Sequence, residues 1–425
     1  MVAIAPFRAL RYNAERIGSL SRVVAPPYDV ISSEEQDQLY DASPHNVVRL
    51  IYGKQFPDDD QRVNRYTRAQ ATFEEWRKTG VLIQDDTPAL YLVEHAFAWR
   101  GQSLRRLGFL ALLVFDGSVP ERVLAHEATF EAPKADRSQL LEAVRANLSP
   151  IFVVAPDPQR HTYTLLDRVS HDQQPLATAR FHEEAVRLWA IMDAEMIRAI
   201  RERLAGVSVL IADGHHRFAV ALSKRHLCGA VMSYFALRED PALVVWPIHR
   251  VVNVTPDRRA AWRARLESLC RLDPAPSLEH VTRWLATTQG QGRFGYYEQG
   301  RCYTATLSED MLAAWLLRAS VPLALAGLDV TLLHEMMLPE LVGPADPRRA
   351  IEGSSHGTTP LCRYTPDPAE AIQMAAQAEG GCAWLLRPIP LPQVVALAAQ
   401  GFTLPQKSTY FYPKVLSGLC IHPFD

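Results

Sequence analysis

The sequence predicts an α/β or α+β protein with a mixed sheet, and three observations favour this fold. The strand Val207–Ile211 runs through a turn into the helix Phe218–Arg225, the repeating unit of α/β proteins. Residues 89–155 contain period-two and continuous β-rich stretches, which are typical of antiparallel strands. Beyond residue 255, helical and β-rich stretches alternate. We therefore expect a mixed-sheet core, an antiparallel β insertion and a C-terminal α+β unit.

The N-terminal stretches predict helices separated by a rigid loop. Ser33–Tyr40 carries acidic residues behind a serine cap, and Val63–Thr79 has apolar residues at helical spacing. Between them, Val23–Ser32 contains two prolines that restrict the backbone and precede Tyr28 and Asp29. This loop presents two polar side chains rigidly, or it is a connector without chemistry.

A polar stretch, HEATFEAPKADR at His126–Arg137, interrupts the β-rich region. It brings Glu127 and Lys134 into one short segment and precedes a predicted helix, Ser138–Ala146. A solvated loop and a functional loop are both compatible with this composition. The domain prediction places a core at 1–255, with the β-rich insertion around 89–155, and an α+β region at 256–425. In that second region, the tail at 401–425 crowds donors and cations around aromatic residues and is a candidate to return to the site.

Composition excludes several classes of protein. The chain has 425 residues, of which 48% are hydrophobic, 9% aromatic and 22% charged, as expected for a globular protein. Lys and Arg number 45 against 47 Asp and Glu, so the net charge of −2 does not favour a nucleic acid partner. The longest apolar run, Leu107–Phe115, is about half as long as a membrane span requires. With no signal peptide pattern, we predict a cytoplasmic protein without a membrane partner. Its six cysteines are far apart and form no CxxC pair, so we predict that they are reduced and serve in packing.

The sharpest feature is the turn Asp213–Arg217 between a strand and a helix. Free N–H groups and the positive end of the helix dipole favour an anion at such a turn. Gly214 allows close approach of the backbone, while His215, His216 and Arg217 supply donors. Phosphate binding is the favoured interpretation. A structural histidine pair and a metal pair remain as alternatives, although adjacent helical residues diverge by about 100°. No metal ligand is assigned directly.

The segment Ile211–Ala221 (IADGHHRFAVA) resembles the second signature box of the ParB/sulfiredoxin superfamily, which cradles nucleotide phosphates. Over nearly its full length the chain also resembles the "domain of unknown function 1015" family. The matching stretches are PFRALR at 6–11, APPYDVIS at 25–32, NVVRL at 46–50, HEATFEAPKADR at 126–137, ANLSPIF at 146–152, IADGHHRFAVAL at 211–222, PIHRVV at 247–252 and LPQKSTYFYPK at 404–414.

This resemblance implies a ParB/sulfiredoxin-like core and a function in nucleotide chemistry. Free-serine kinases of the superfamily carry a DGHHR-type box, so Asp213–Arg217 would hold the phosphates of ADP or ATP with Mg²⁺. The predicted function is a nucleotide-dependent kinase for the hydroxyl of a small metabolite, serine or serine-like. The alternatives are a ParB-like regulatory module and a ParB-like nuclease or phosphodiesterase. Whether the protein forms a homodimer is left open.

Phosphoryl transfer to an alcohol requires a carboxylate to accept the hydroxyl proton and cations to neutralise the phosphates. Asp29 and Glu127 are the candidate bases, and His216 is a third candidate catalytic residue. Each of the remaining candidates could instead be a surface or ion-paired residue. The candidate phosphate or substrate contacts are Tyr28, Arg49, Lys134, Arg137, His249, Arg250, Lys407, Ser408 and Thr409.

Overall fold

The structure is a computed structural model that describes residues 2–99, 101–116, 119–342 and 362–424. Contacts within the chain divide it into two compact units. The first unit contains residues 1–125, 129–244 and 411–425, and the second contains residues 126–128 and 245–410. The last residues of the tail thus belong to the N-terminal unit, whereas 401–410 belong to the second.

The first unit is built on a nine-stranded mixed sheet, which confirms the predicted α/β class. Strand Ile151–Ala155 pairs parallel with Ala230–Leu237 on one side and antiparallel with Val209–Asp213 on the other. Ile4–Ala5 pairs with Gln102–Val114 off the main path. In spatial order, the other strands are Val123–Leu124, Val209–Asp213, Ile151–Ala155, Ala230–Leu237, Gln102–Val114, Leu90–Trp99, Glu184–Ile191 and Ala177–Phe181.

The predicted antiparallel strands lie within this sheet. Leu90–Trp99 and Gln102–Val114 form a long hairpin between Ala230–Leu237 and Glu184–Ile191. Their apolar residues join a buried core that includes Phe109. Such continuous apolar runs are expected for strands covered on both faces. Smaller two-stranded pairs are Leu10–Tyr12 with Leu82–Gln84 and Ala146–Asn147 with His422–Pro423.

Helices of the first unit differ from the predictions mainly at their starts. The helix Glu131–Val144 begins well before the predicted Ser138, so Lys134 lies on a helix and not on a loop. Pro133 is tolerated there because the N–H groups of a first helical turn have no partner within the helix. The helices are Ala14–Ile17, Ser33–Ala42, Val48–Ile51, Arg65–Lys78, Val119–Arg122, Glu131–Val144, His161–Asp172, Ala194–Ala205, His215–Ser223 and Arg225–Cys228.

The second unit is an antiparallel α+β unit. Its six-stranded sheet has the order Cys270–Ala275, Arg301–Leu307, Arg293–Glu298, Gly381–Leu385, His249–Asn253 and Cys362–Thr365. A π-helical segment, Leu332–Met337, carries His334. The α-helices are Arg259–Leu269, Leu278–Thr287, Glu309–Arg318, Leu323–Ala326, Asp329–Thr331, Leu338–Val342, Pro368–Gln377 and Leu391–Ala399. Across the described part of the chain, no helix combines the length and apolar character that a membrane crossing needs.

Candidate functional site

The strand Val209–Asp213 ends in a turn that only glycine fits. Gly214 has a φ of +89°, in the left-handed region that side chains disfavour. A Cβ atom at this position would lie 2.9 Å from Arg217 Nη2 and 3.0 Å from Ile151 Cγ2. A larger residue here would therefore be strained and would crowd Arg217 and Ile151.

The helix His215–Ser223 begins directly after this turn without a side-chain cap. Its first intrahelical bond is donated by Phe218 N–H to Gly214 O at 2.9 Å. The N–H groups of the first turn consequently have no acceptor inside the helix. Together with the helix dipole, such groups favour an anion over the turn. That residues 213–217 bind phosphate stays a prediction.

Asp213 lies between two cations at the start of the turn. Arg217 Nη2 donates to Asp213 Oδ2 at 2.7 Å, and Lys414 Nζ donates to Asp213 Oδ1. All three side chains are nearly buried. Burial alone would raise the pKa of the Asp213 carboxyl, but the charges of Lys414 and Arg217 outweigh it and hold that pKa below its usual range. Asp213 is therefore ionised at neutral pH and fixes both cations beside the helix start.

Lys414 reaches Asp213 because a buried arginine anchors the tail. Arg106 donates from Nη1 to Tyr412 O at 3.0 Å and from Nη2 to Pro413 O at 2.7 Å. Its guanidinium lies 4.8 Å from the centre of the Phe152 ring. Sequence reasoning missed both Lys414 and Arg106 as site residues. Two signals pointed to Lys414: it closes the LPQKSTYFYPK stretch used for the family resemblance, and it lies in the tail at 401–425, whose donors and cations made it a candidate to return to the site.

Arg217 and His216 hold the turn in place. Besides Asp213, Arg217 Nη1 donates to Pro150 O, and no described residue accepts a bond from its Nε. Both terminal nitrogens of Arg217 are thus bonded to the protein, to Pro150 O and to Asp213 Oδ2. In this arrangement they support the turn, and Arg217 does not offer a bidentate contact to phosphate. His216 Nε2 accepts a bond from Phe130 N–H at 3.0 Å. In a neutral imidazole this leaves the proton on Nδ1.

Tyr28 and Arg137 lie beside Arg217 in a small cavity of about 50 Å³. The Arg137 guanidinium stacks 3.8 Å from the centre of the Tyr28 ring, and its Nη1 donates to Ile51 O at 2.9 Å. Burial raises the pKa of Tyr28, which the neighbouring Arg137 partly offsets. Asp29 follows Tyr28 in a short 3₁₀ turn and is exposed. The first unit thus brings Tyr28 and Arg137 beside Arg217 of the turn, and Asp29 follows Tyr28 in the chain.

Two other predicted contacts in this unit have local partners. Arg49 Nη2 donates to Tyr40 O at 2.8 Å, and its guanidinium lies 4.2 Å from the centre of the Tyr40 ring. Lys134 forms an ion pair with Glu131 one turn earlier on the same helix. Neither residue lines the cavity that Tyr28 shares with Arg217.

In the second unit, the predicted residues of the tail gather around His126. Thr409 Oγ1 and His126 Nε2 are 2.8 Å apart, and Leu404 N–H donates to His126 O at 2.8 Å. Glu127 lies on this same short backbone pairing. The Ser408 hydroxyl donates to Pro405 O, while Lys407 is exposed. This segment therefore places a histidine, a carboxylate and a threonine close together.

Arg250 is a fully buried cation in the same unit. Its Nε donates to His334 Nε2 at 2.8 Å, and its Nη2 donates to Gln406 O at 3.1 Å. His249 Nδ1 accepts a bond from Leu386 N–H at 3.1 Å. Burial, with the charge of Arg250, lowers the pKa of His249 to about 3, so this histidine is neutral. The negative charge of the Glu127 carboxylate acts on Arg250 and partly offsets the effect of its burial.

The described residues contain no group of three His, Cys, Asp or Glu side chains arranged to hold a metal ion. Asp213 is engaged by Arg217 and Lys414, and His216 Nε2 by Phe130. A Mg²⁺ ion would have to arrive with nucleotide phosphates, which is the usual way such sites bind it. The turn fits phosphate, since it presents N–H groups and cations.

The family model described as "Protein of unknown function (DUF1015)" matches residues 4–331. The chain belongs to the DUF1015 family. This finding confirms the family resemblance that the sequence motifs indicated. No curated protein matches the sequence significantly.

Several solved structures resemble this member of the DUF1015 family at low scores. C-terminally truncated SbnI from Staphylococcus aureus is 13% identical, with a TM-score of 0.35 over 72% of this chain and 85% of its own. A free serine kinase in complex with AMP is 11% identical, with a TM-score of 0.35 over 68% and 83%. A conserved hypothetical protein from Pyrococcus furiosus is 10% identical, with a TM-score of 0.34 over 69% and 89%. Such scores carry no information on activity.

Proposed function

We propose that this protein is a nucleotide-dependent kinase that phosphorylates a hydroxyl group of a small metabolite. Free serine or a serine-like compound is the first acceptor to test. The observation that carries the proposal is the uncapped helix start after Gly214, beside the buried cations Arg217 and Lys414. Phosphate groups bind at such helix starts. The resemblance of residues 211–221 to a nucleotide-binding box supports the same assignment.

In this proposal, each residue of the turn has a separate task. Gly214 lets the phosphates approach the backbone, and the N–H groups of the first helical turn donate to them. Asp213 does not contact phosphate but fixes Arg217 and Lys414. Lys414 supplies positive charge beside the phosphates. Mg²⁺, bound with ADP or ATP, neutralises further charge on the transferred group.

The transfer step needs a base for the acceptor. The hydroxyl oxygen attacks the terminal phosphorus, the bond from phosphorus to the leaving phosphate oxygen breaks, and the hydroxyl proton passes to a carboxylate. Asp29 is the candidate base of the first unit, because it is exposed next to Tyr28. Glu127 is the candidate of the second unit, because it adjoins the buried His126.

The Arg250 cluster is our proposed site for an anionic group of the acceptor. A buried guanidinium is costly unless its charge is compensated, and an acidic group of the acceptor would add to the compensation that Glu127 provides. Arg250 donates only to carbonyl and imidazole groups of the described residues. The carboxylate of a serine-like substrate has the charge and the planar shape that arginine binds best.

The test is phosphoryl transfer by the purified protein. Nucleotide consumption and phosphoserine formation would be measured with L-serine, Mg²⁺ and either ADP or ATP, followed by CTP and other small alcohols. Of the two variants Asp29→Asn and Glu127→Gln, the one that removes the base should keep nucleotide affinity and lose about 10²–10⁴-fold in kcat.

The matched control for these variants is Asp58→Asn, which removes an exposed carboxylate outside the site. The kcat of Asp58→Asn should equal that of the wild type. Turnover that survives in both Asp29→Asn and Glu127→Gln would contradict the choice of base. Absence of transfer across all nucleotides and acceptors would contradict the kinase proposal itself.

A further inference from the structure

A cleft with three arginines lies in the second unit and belongs to none of the sites described above. We call it the arginine cleft and define it by Arg259, Arg263, Glu298, Gln299, Arg301 and Tyr303. Its volume is about 530 Å³, within the range typical of small-molecule sites. All of its residues lie between 256 and 303, within one compact unit.

Local structure explains why these side chains converge. Arg259 and Arg263 are four residues apart on the helix Arg259–Leu269, so they lie on one face of it. Arg301 and Tyr303 are two residues apart on a strand and share one face of the sheet. The Arg263 guanidinium lies 4.8 Å from the centre of the Tyr303 ring. The helix face and the strand face thus enclose the cleft.

A tight turn completes one wall. Gln299 and Gly300 join two paired strands and have φ values of +49° and +78°, as in a two-residue hairpin turn of type I′. This turn places the Gln299 side chain at the cleft, two residues before Arg301. Gln299 adds a neutral donor and acceptor to the charged groups.

The charges of the cleft are not balanced. Arg263 donates to Glu267 at 2.7 Å and to Glu298 at 3.2 Å, so its charge is compensated. Within the described part of the chain, Arg259 and Arg301 have neither a side-chain hydrogen bond nor an ion pair. The one carboxylate that lines the cleft, Glu298, is bonded to Arg263. Arg259 and Arg301 therefore line the cleft without a carboxylate bonded to either of them, although arginine is the preferred residue for binding phosphate and carboxylate groups.

An adjoining cavity extends the available space. It has a volume of about 360 Å³ and shares Arg259, Glu298 and Gln299 with the arginine cleft. Glu379 and the backbone around Gly380 also line it. Because Glu298 pairs with Arg263, the excess positive charge stays at Arg259 and Arg301. A ligand can therefore extend beyond its charged groups without leaving the protein.

We propose that the arginine cleft binds a small molecule with at least two negative charges, carried by phosphate or carboxylate groups. Arg259 and Arg301 bind the charged groups, and Gln299 contacts a neutral polar group. This site is separate from the Gly214 turn and goes beyond the proposed kinase activity. The ligand of this cleft is a different molecule from the nucleotide and the acceptor of the proposed kinase reaction.

Isothermal titration calorimetry on the full-length protein tests this proposal with two probes, inorganic pyrophosphate and citrate, at about 150 mM salt. We expect at least one probe to bind, and the double variant Arg259→Gln/Arg301→Gln to weaken it by about 100-fold, since each lost arginine contact is worth about tenfold. The control Arg318→Gln removes an exposed arginine of the same unit outside the cleft and should bind as the wild type does.

Two further readouts separate this site from the turn. Lys414→Met should abolish pyrophosphate binding at the turn and leave binding at the cleft intact. Circular dichroism and the Tm of each variant verify the fold. Binding of pyrophosphate alone assigns a phosphate ligand, and binding of citrate alone assigns a carboxylate ligand. The proposal is overturned if neither probe binds, if the double variant binds as the wild type does, or if Arg318→Gln weakens binding equally.

Discussion

Gly214, Asp213 and Lys414 show how single residues create the candidate site. Gly214 adopts a backbone conformation that side chains disfavour, and Asp213 pairs with one cation from the adjacent helix and one from the tail. These contacts constrain the turn in the absence of a ligand. The groups that we propose to bind an anion are therefore held in place by the protein's own charges, and substitutions here should change stability as well as binding.

Replacing Gly214 should be costly for two separable reasons. In Gly214→Ala, the left-handed backbone costs about 1–2 kcal/mol, and crowding against Ile151 and Arg217 adds about 1–3 kcal/mol. Gly229→Ala is the matched control, because its φ of +60° is also left-handed and nothing lies within 4 Å of the added Cβ. Urea unfolding measures both. Equal losses of unfolding free energy in the two variants would show that Gly214 is not crowded.

Removing the Lys414 charge should change the pH dependence of stability. The pKa of Asp213 is lowered in the folded protein, so its stabilising effect is present above about pH 4 and is lost as pH falls through the folded pKa. We expect Lys414→Met to lose about 1–3 kcal/mol at pH 7. The difference from the wild type should narrow towards pH 3. Urea unfolding at several pH values, with exposed Lys78→Met as the control, tests this, and a pH-independent difference would contradict it.

At the level of secondary structure, the tail that carries Lys414 depends on the strand Gln102–Val114. Arg106 of that strand binds the carbonyls of Tyr412 and Pro413 and is fully buried. Losing it removes one donor from the buried Pro413 carbonyl and one from the half-buried Tyr412 carbonyl, at about 1–3 kcal/mol each. The strand therefore helps to position Lys414 beside Asp213, because Arg106 holds the tail that carries Lys414.

Loosening this anchor should expose the tail. In Arg106→Met, we expect faster amide hydrogen exchange across residues 411–424 and weaker nucleotide binding, with far-UV circular dichroism preserved. The control is Arg105→Met on the same strand, whose arginine pairs with Glu94 and Asp167 instead. If the tail exchanges at the wild-type rate in Arg106→Met, Arg106 does not position Lys414.

Local signals in the sequence predicted part of this architecture. The strand, turn and helix around Gly214 were predictable because a β-rich stretch, a glycine and a helical stretch follow one another directly. The helix Glu131–Val144 was placed too late, because its charged first turns and Pro133 resemble a loop. The pairing of Asp213 with Lys414 joins residues 201 positions apart, and no local pattern encodes such a contact. The predicted roles of Asp29 and Glu127 stay predictions.

At the scale of the whole molecule, buried histidines whose pKa is lowered link stability to pH in the described part of the chain. Burial lowers the pKa of His95, His249 and His334, which are therefore neutral in the folded protein. Unfolded histidines take up protons below about pH 6.5, so the unfolded state binds more protons and the folded state loses stability as pH falls. Both units contribute, since His95 lies in the first and His249 in the second.

The histidine contribution is measurable in a single variant. His249→Asn keeps an acceptor for Leu386 N–H and removes one titrating group. Its unfolding free energy should fall less steeply between pH 6.5 and 4.5 than that of the wild type, by about 1.4 kcal/mol per pH unit. Exposed His226→Gln serves as the control. An unchanged slope in His249→Asn would mean that this histidine does not resist protonation.

The most direct test of the central claim is nucleotide binding at the Gly214 turn. Thermal shift and calorimetry would compare ADP, ATP, CTP and GTP with Mg²⁺ on the wild type, Lys414→Met and Lys78→Met. We predict a nucleotide-dependent rise in Tm for the wild type and Lys78→Met, corresponding to about 2.7 kcal/mol at a hundred times Kd, and its loss in Lys414→Met. Failure of every nucleotide to bind, or equal binding by Lys414→Met, would contradict the assignment of this turn to phosphate.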